Sequence, residues 1–403
     1  MNPTSATALA RADRLQACPA CGTEMRPFLH IEAVPVNSCL LVGTRERALS
    51  FPRGNITLCS CAACGFICNT AFEPRLTQYS DHYEETQAFS GTFNRFQEAL
   101  ARDLVSRLGV YDKTVVEVGC GKGEFLGLLC KLGGNRGVGY DPSFDPTRDV
   151  FGEGVDARVV REFFGQGSGG GDGDLVCCKM TLEHIFDTER FARALRSALR
   201  PGRESRLFIQ VPESLRILRE CAFEDIYYEH CSYFTPGSLA RLFRCAGFAV
   251  DRLTITYAGQ YLTLEGHLAD GDAQGPLAEE EPVDEIVQLA RSFATRYEEK
   301  TGAWRSRIEA AARLGPVALW GSGSKAVAFL HAMHDLGACI QHVVDINPHR
   351  RGYFMPGTGQ RILAPEELPA IEPRTVIAMN PVYREEIAEE LARCGVGATL
   401  LTL

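Results

Sequence analysis

The chain has 403 residues, 45% of them apolar and 23% charged, with a formal net charge of -9. That length exceeds what one hydrophobic core usually serves, so two or three domains are expected. The acidic balance and the lack of a long basic run exclude nucleic acid as the main partner, and no run of about eighteen apolar residues offers a membrane span. Residues 1–16 lack the apolar centre of a secretion signal, so a cytoplasmic protein is expected. In that reducing compartment its 16 cysteines should be free thiols or metal ligands rather than disulfides.

Two cysteine knuckles come first, Cys18-Pro19-Ala20-Cys21-Gly22 and Cys61-Ala62-Ala63-Cys64-Gly65. A C-x-x-C-G turn aims two thiolates at one point, and two such turns complete a tetrahedral zinc site. Cys18, Cys21, Cys61 and Cys64 are the predicted ligands, with Cys39, Cys59 and Cys68 as spare thiols nearby. The 39 residues between the knuckles must fold as a hairpin-like insert of their own. Four thiolates leave no open position on the metal, so the predicted role is structural.

An aromatic-polar segment follows, Tyr79-Ser80-Asp81-His82-Tyr83-Glu84-Glu85-Thr86, and then a helical pattern over 93–108. From about Thr114 an apolar run meets a glycine loop in Val115-Val116-Glu117-Val118-Gly119-Cys120-Gly121-Lys122-Gly123. A predicted helix over 124–132 leads to a second strand ending in Gly139-Tyr140-Asp141, which completes the first βαβ unit of a nucleotide-binding sheet. The glycines read G-x-G-x-G behind Glu117, not the G-x-G-x-x-G that favours pyrophosphate. This variant resembles the S-adenosylmethionine (SAM) loop of class I methyltransferases. That resemblance implies cofactor contacts from Glu117, Gly119, Gly121 and Gly123, with Asp141 accepting from the ribose hydroxyls.

A third strand is predicted at 157–160, with Asp156 as an adenine contact, and residues 165–173 are expected to be a flexible glycine-rich loop. The fourth strand, 174–180, ends in Met180, an expected cofactor contact, and delivers Thr181-Leu182-Glu183-His184 to the carboxyl edge where ligands sit in such sheets. Residues 207–212 read as the fifth strand. His184 is open between a hydrogen-bonded structural residue and a pocket residue. His230 stands in Asp225-Ile226-Tyr227-Tyr228-Glu229-His230, where a carboxylate and tyrosines supply what proton transfer needs. Pro236 opens a further amphipathic helix.

Residues 279–314 alternate charges around an apolar stripe and predict a long solvated helix serving as a spacer. Val317-Ala318-Leu319-Trp320-Gly321-Ser322-Gly323-Ser324-Lys325 then opens a second βαβ unit, closed by Asp345, with last strands at 375–381 and 398–403. Ser324 and Lys325 suit a substrate phosphate or carboxylate. The unit can equally be a degenerate nucleotide fold that only packs, or the dinucleotide site of an oxidoreductase.

Assembled, the chain resembles the sugar C-methyltransferase family of deoxysugar biosynthesis over nearly its whole length. The resemblance is carried by both knuckles, Glu117-Val118-Gly119-Cys120-Gly121, Leu182-Glu183-His184, Tyr227-Tyr228-Glu229-His230, Gly321-Ser322-Gly323-Ser324-Lys325 and Asp345-Ile346-Asn347-Pro348. It implies an α/β protein with a zinc-binding module over 1–80, a Rossmann-like SAM domain over 81–275, and a linker helix with a second Rossmann-like, substrate-binding domain over 276–403. It further implies His230 as base within the Tyr227-Tyr228-Glu229-His230 motif, with His184, Tyr79 and Tyr83 completing the pocket; for carbon methylation Glu229 is expected to orient His230, and Tyr227 or His184 to donate to the substrate oxyanion. The acceptor expected is a small molecule, a nucleotide-linked sugar or another carbonyl metabolite. Residues 86–91, Trp320 and Lys325 depart from the family's usual pattern where substrate is recognised. O- or N-methylation, and a non-catalytic partner protein binding SAM and zinc, stand as alternatives.

Overall fold

The computed structural model describes residues 16–77, 83–147, 151–165, 172–200, 204–271 and 274–403. Tyr79, residues 1–15 and most of the glycine-rich 165–173 stretch lie outside the described residues. The described strands form three sheets.

The first sheet belongs mainly to the amino-terminal module. Strands β1 (Met25–Pro35) and β2 (Arg53–Cys61) pair antiparallel, from Met25 opposite Cys61 to Pro35 opposite Arg53, with helix α1 (Arg45–Leu49) in their connection. The insert between the knuckles is thus the expected hairpin. Strand β3 (Ile67–Asn69) adds to β2, and its outer edge takes a strand from much later in the chain.

The second sheet follows helix α2 (Gly91–Arg107), capped by Ser90, whose hydroxyl accepts from the Phe93 N–H at 3.2 Å. Strand β4 (Thr114–Val118), helix α3 (Glu124–Gly133), β5 (Arg136–Tyr140), β6 (Ala157–Val160), β7 (Leu175–Lys179), α4 (Thr188–Arg196) and β8 (Arg206–Pro212) build its parallel part. Helix α5 (Ser214–Glu220) leads to the two-residue strand β9 (Ser232–Tyr233), which leaves this sheet to pair antiparallel with β3. Helix α6 (Pro236–Cys245) starts at the expected proline, under a reciprocal cap between Thr235 and Ser238. Strands β10 (Phe248–Thr256) and β11 (Tyr261–Leu268) form an antiparallel hairpin against β8 that the sequence pattern did not mark. The order is β10-β11-β8-β7-β4-β5-β6. Val115, Val116 and Val118 are buried, as the interior of a parallel sheet covered on both faces requires. Successive crossovers part on either side of β4 and β7, and the crevice this opens beyond their carboxyl ends is where such sheets bind ligands.

Helix α7 (Val283–Leu314) precedes the third sheet, built from β12 (Val317–Trp320), α8 (Ser324–Ala332), β13 (Ile340–Val344), β14 (Ile362–Leu363), β15 (Thr375–Ala378), α9 (Arg384–Arg393) and β16 (Thr399–Thr402). Its strands are all parallel, in the order β14-β13-β12-β15-β16, a second Rossmann-like unit.

The expected spacer helix is in fact core. Ile286, Phe293, Tyr297, Trp304 and Ile308 of α7 share one buried cluster with Phe28, Ile31 and Ile56 of the first sheet and with Val327 and Phe329 of the third domain. The charges occupy only its outer face, so the apolar stripe is the part that decides. Phe28 meets Phe293 edge-on at 5.9 Å. Phe293→Ala is expected to destabilise the fold by about 3–5 kcal/mol. Urea denaturation followed by circular dichroism checks this, and the first and third sheets should lose stability together.

Candidate active site

The glycine loop begins where β4 ends. Gly119 adopts φ +71°, and a Cβ there would lie 2.0 Å from Oγ1 of Thr181, so only glycine lets the loop pass beside the end of β7. Asp141, at the end of β5, turns its carboxylate back to the loop: Oδ2 accepts from the Gly121 N–H at 2.8 Å, and Oδ1 accepts from the Ser143 N–H and hydroxyl at 2.8 and 2.6 Å. The acid therefore shapes the loop and keeps its remaining lone pairs for a ligand. Gly123 forms the left-handed entry to α3.

Residues 83–90 lie across this loop. A Cβ on Gly121 would come 2.9 Å from Oε1 of Glu85, Lys122 Nζ donates to the carbonyl of buried Tyr83 at 2.9 Å, and Thr86 Oγ1 donates to Glu124 at 2.7 Å. Burial pushes the Glu85 carboxyl up to about 7. Glu117 is buried on β4, and burial raises its carboxyl to about 8 despite the attraction of Lys179. Lys179 lies over the Phe93 and Phe125 rings, with burial pulling its ammonium down. Glu117 thus sits beneath the loop rather than open to a ligand.

Asp156 does not fit its expected role. It stands, exposed, just before β6, and because β6 runs parallel to β5 this is the sheet edge opposite the glycine loop. The ligand edge of β6 is its other end, after Val160.

Beyond the loop a cavity of about 1060 Å³ opens between the second and third sheets. Glu85, Met180, Tyr227, His230 and Tyr261 line one side, and Trp320, Ser324, Lys325 and Asn347 line the other. Met180, at φ +53°, carries the strained turn after β7. A tight turn, with the His230 N–H donating to the Tyr227 carbonyl at 3.2 Å, folds the Tyr227 ring over the imidazole. Tyr227 OH and His230 Nε2 are 2.8 Å apart. Burial raises the phenol far above its ordinary range and, with His184 and Lys325 nearby, drops the imidazole far below its own. A neutral phenol and a neutral ring therefore share one hydrogen bond.

Two predicted partners of His230 turn elsewhere. The Glu229 carboxylate accepts from Asn37 Nδ2 at 3.1 Å, from the Ser38 N–H at 2.7 Å and from the Ser38 hydroxyl, all in the amino-terminal module. Its neighbour's ring points the other way along the chain, so Tyr227 rather than Glu229 orients His230. His184 packs edge-on to His230, ring centres 4.9 Å apart, and its Nδ1 donates to the Glu229 carbonyl at 3.0 Å. It stands behind His230, outside the cavity wall, as a brace on the backbone.

In the third domain, the Ser322 N–H and hydroxyl both donate to Asp345 Oδ2, at 2.7 and 2.6 Å. Ser324 meets the Ser38 hydroxyl at 2.7 Å. Lys325 pairs with Asp225, which Arg216 also holds at 2.5 Å. The hydroxyl and ammonium expected for a substrate anion are both on the cavity wall, already within internal networks. Arg216 carries no sequence signal of a site; Glu183 and Asp225 stand within the segments singled out around His184 and His230 but have no predicted role there, and only the fold turns their side chains inward.

At the front, one sulfur from each of Cys18, Cys21, Cys61 and Cys64 lies within 4.8 Å of all the others, with Cys18–Cys64 at 3.7 Å and Cys21–Cys61 at 3.5 Å. Zinc–sulfur bonds of about 2.3 Å give tetrahedral edges of about 3.8 Å, so the four thiols fit one zinc ion. Cys59 is turned to Thr70 at 3.3 Å and Cys68 to Met25 at 3.6 Å.

Residues 93–253 match the family described as Methyltransferase domain, and residues 276–401 match the C-methyltransferase C-terminal domain. The C-methyltransferase NovU of Streptomyces niveus is 27% identical over 325 residues, 76% of each chain. Among solved structures, the 1,6-didemethyltoxoflavin-N1-methyltransferase of Burkholderia thailandensis, with S-adenosylhomocysteine bound, is 22% identical, covers 43% of this chain and 79% of its own, and gives a TM-score of 0.36. The magnesium protoporphyrin IX methyltransferase of Synechocystis is 18% identical over 44% and 84%, also at 0.36. The chain is a SAM-dependent methyltransferase. Its carboxyl-terminal part is similar to that of C-methyltransferases.

Gly119→Ala is expected to weaken SAM binding at least about tenfold, because the new methyl group must displace Thr181 and hold a left-handed φ. Calorimetric titration with SAM reads the change directly.

Proposed function

We propose that the protein methylates a carbon beside a carbonyl in a small-molecule acceptor, after that carbon loses a proton to the Tyr227–His230 pair. The observation that supports this most is the neutral, buried imidazole hydrogen-bonded to a phenol on the cavity wall. Methylating an oxygen or nitrogen needs little base, since a lone pair already exists; a carbon needs a proton acceptor.

In this reading the second domain spans residues 81–275 and the third residues 276–403. Gly119, Gly121 and Asp141 hold SAM, with Met180 and Glu85 between it and the acceptor. Bound SAM supplies a methyl group made electrophilic by its sulfonium. Residue by residue, the chain's part is to create the nucleophile. The substrate proton passes to the phenol oxygen as the phenol's own proton moves to His230 Nε2, leaving the electron pair on carbon, delocalised onto the carbonyl oxygen. Tyr83 and residues 86–90 close the pocket from the glycine-loop side. A cavity of about 1060 Å³ accommodates an acceptor as large as a nucleotide-linked keto sugar. Ser324 and Lys325 face that acceptor from the third domain.

With a nucleotide-linked keto sugar and SAM labelled in its methyl group, product NMR should place the label on carbon, and His230→Ala should slow turnover by about 100-fold or more. A label on oxygen or nitrogen, or substrate-proton exchange at the wild-type rate in His230→Ala, overturns the reading.

We also assign residues 1–80 as a zinc module whose Cys18, Cys21, Cys61 and Cys64 hold one structural ion. Elemental analysis of the purified full chain should find one zinc per chain, and Cys64→Ser should lose it together with stability. Protein free of metal but equally stable would refute the assignment.

A further inference from the structure

Proton transfer to His230 creates a buried cation, and such a charge needs a counter-ion. The neighbouring carboxylate in sequence, Glu229, is committed to Asn37 and Ser38. Another carboxyl group faces the ring. Glu183, 1% exposed and delivered by the turn after β7, has Oε1 4.0 Å from His230 Nε2. Neither of its side-chain oxygens has a hydrogen-bond donor. An unpaired buried carboxyl group costs free energy to keep, which a structural role alone would not require.

We infer that Glu183 is the counter-ion of protonated His230, a positioning residue that stabilises the imidazolium formed during proton abstraction. The inference rests on His230 being the base. Its surroundings fit. Around the pair stand His184 behind the ring, Tyr227 and Tyr233 as phenols that burial keeps protonated, and the Cys231 and Cys178 thiols, which burial also keeps protonated. The cations are Lys179 on the Glu183 side and Lys325 on the His230 side; Lys325 is paired with Asp225. No other carboxylate within salt-bridge reach of His230 is found among the described residues.

Burial lifts the Glu183 carboxyl to about 8. Below about 8 the pair holds one proton, carried mainly by Glu183, and as the pH rises above about 8 it passes to the proton-free form with Glu183 ionised, the form from which His230 accepts a proton. The sign follows: an ionised Glu183 raises the proton affinity of His230, so the ring should sense the proton that the pair takes up as the pH falls through about 8. In the balance of the reaction, starting from the proton-free pair, the substrate's C–H bond breaks, its proton passes to the Tyr227 oxygen as the phenol's proton moves to His230 Nε2, the ionised Glu183 faces the imidazolium so formed, and one proton later leaves to solvent as the pair resets.

The test is an NMR titration of the full chain labelled with 15N-histidine, wild type against Glu183→Gln, with His230→Ala to assign the signals. The wild-type His230 ring signals should shift as the pH passes through about 8, and those of Glu183→Gln should not. Identical curves in the two proteins overturn the counter-ion. Circular dichroism and SAM calorimetry establish that Glu183→Gln folds and binds cofactor. Turnover of a nucleotide-linked keto sugar separates the two readings. If Glu183→Gln loses the shift and falls about tenfold or more in kcat at unchanged KM, the counter-ion stands. If the shift is lost while His230→Ala turns over like wild type, the coupling is real and the base assignment fails.

Discussion

The structure depends on how one short stretch, residues 227–232, is held. It emerges from the second domain, yet the amino-terminal module fixes it. Ser232 and Tyr233 pair with Cys68 and Ile67, the Asn69 N–H donates to the Cys231 carbonyl at 2.8 Å, and the Tyr228 hydroxyl accepts from the Glu73 N–H at 2.8 Å. Tyr228 is fully buried, and its ring lies so close to Gly54 that any Cβ there would fall 2.3 Å from it. Glu229 completes the grip through Asn37 and Ser38. Tyr227 and His230 are thereby presented to the cavity between the second and third sheets. Side chains carried on a free loop would have to be ordered before they could act; this pair is ordered by the fold.

The same logic explains the third domain. Its glycine turn resembles a nucleotide loop, but Asp345 is taken up by Ser322, and Arg350 donates to the Ser322 carbonyl at 3.0 Å and to the Glu84 carbonyl. Asn347 reaches Glu84 Oε1 at 3.0 Å. The loop's polar groups are spent on joining the domain to residues 83–90, the segment that also lies on the SAM loop. Likewise Tyr383 donates to Gln87 at 2.6 Å, and Ser90 and the Thr92 N–H donate to Glu386. One segment therefore touches both the glycine loop after β4 and the third domain, which gives the departures at 86–91 a physical meaning: they rewrite a domain seam as well as a cavity wall.

Much of this was legible in sequence because it follows from periodicity and spacing. The knuckles, the glycine loop, Asp141 and the five parallel strands from Thr114 to Pro212 all announce themselves locally. What failed depended on direction or on partners. Asp156 does not fit an adenine contact because it precedes β6, at the amino end of the strand, whereas ligands sit beyond the carboxyl ends. The β10–β11 hairpin was missed because its turn puts Tyr257 and Ala258 at left-handed φ, where Asn-Gly would have been the signal. Strand β9 is two residues long and defined wholly by a partner far back in the chain. Adjacency made Glu229 look like the partner of His230, but neighbouring residues point different ways, and only the tertiary fold decides that one carboxylate meets a serine while another, Glu183, meets the ring.

These contacts also define what the cysteine cluster can do to the chemistry. Cys61 ends β2 and Cys64 precedes β3, so the knuckle sets the register in which β3 offers its edge to β9. The Cys64 carbonyl accepts from Arg241 of α6 at 2.9 Å, tying the knuckle to the helix that follows the histidine loop. A metal gripping the four thiolates would thus act on proton transfer only through backbone geometry, by holding the edge against which His230 is aligned. The strands that carry the glycine loop, β4 and β5, pack through Val116, Val118 and Tyr140 into the same buried cluster as Cys18 and Cys61. The glycine loop and the knuckles are thus joined through one buried cluster, and residues 83–90 add a second, polar connection between the loop and the third domain.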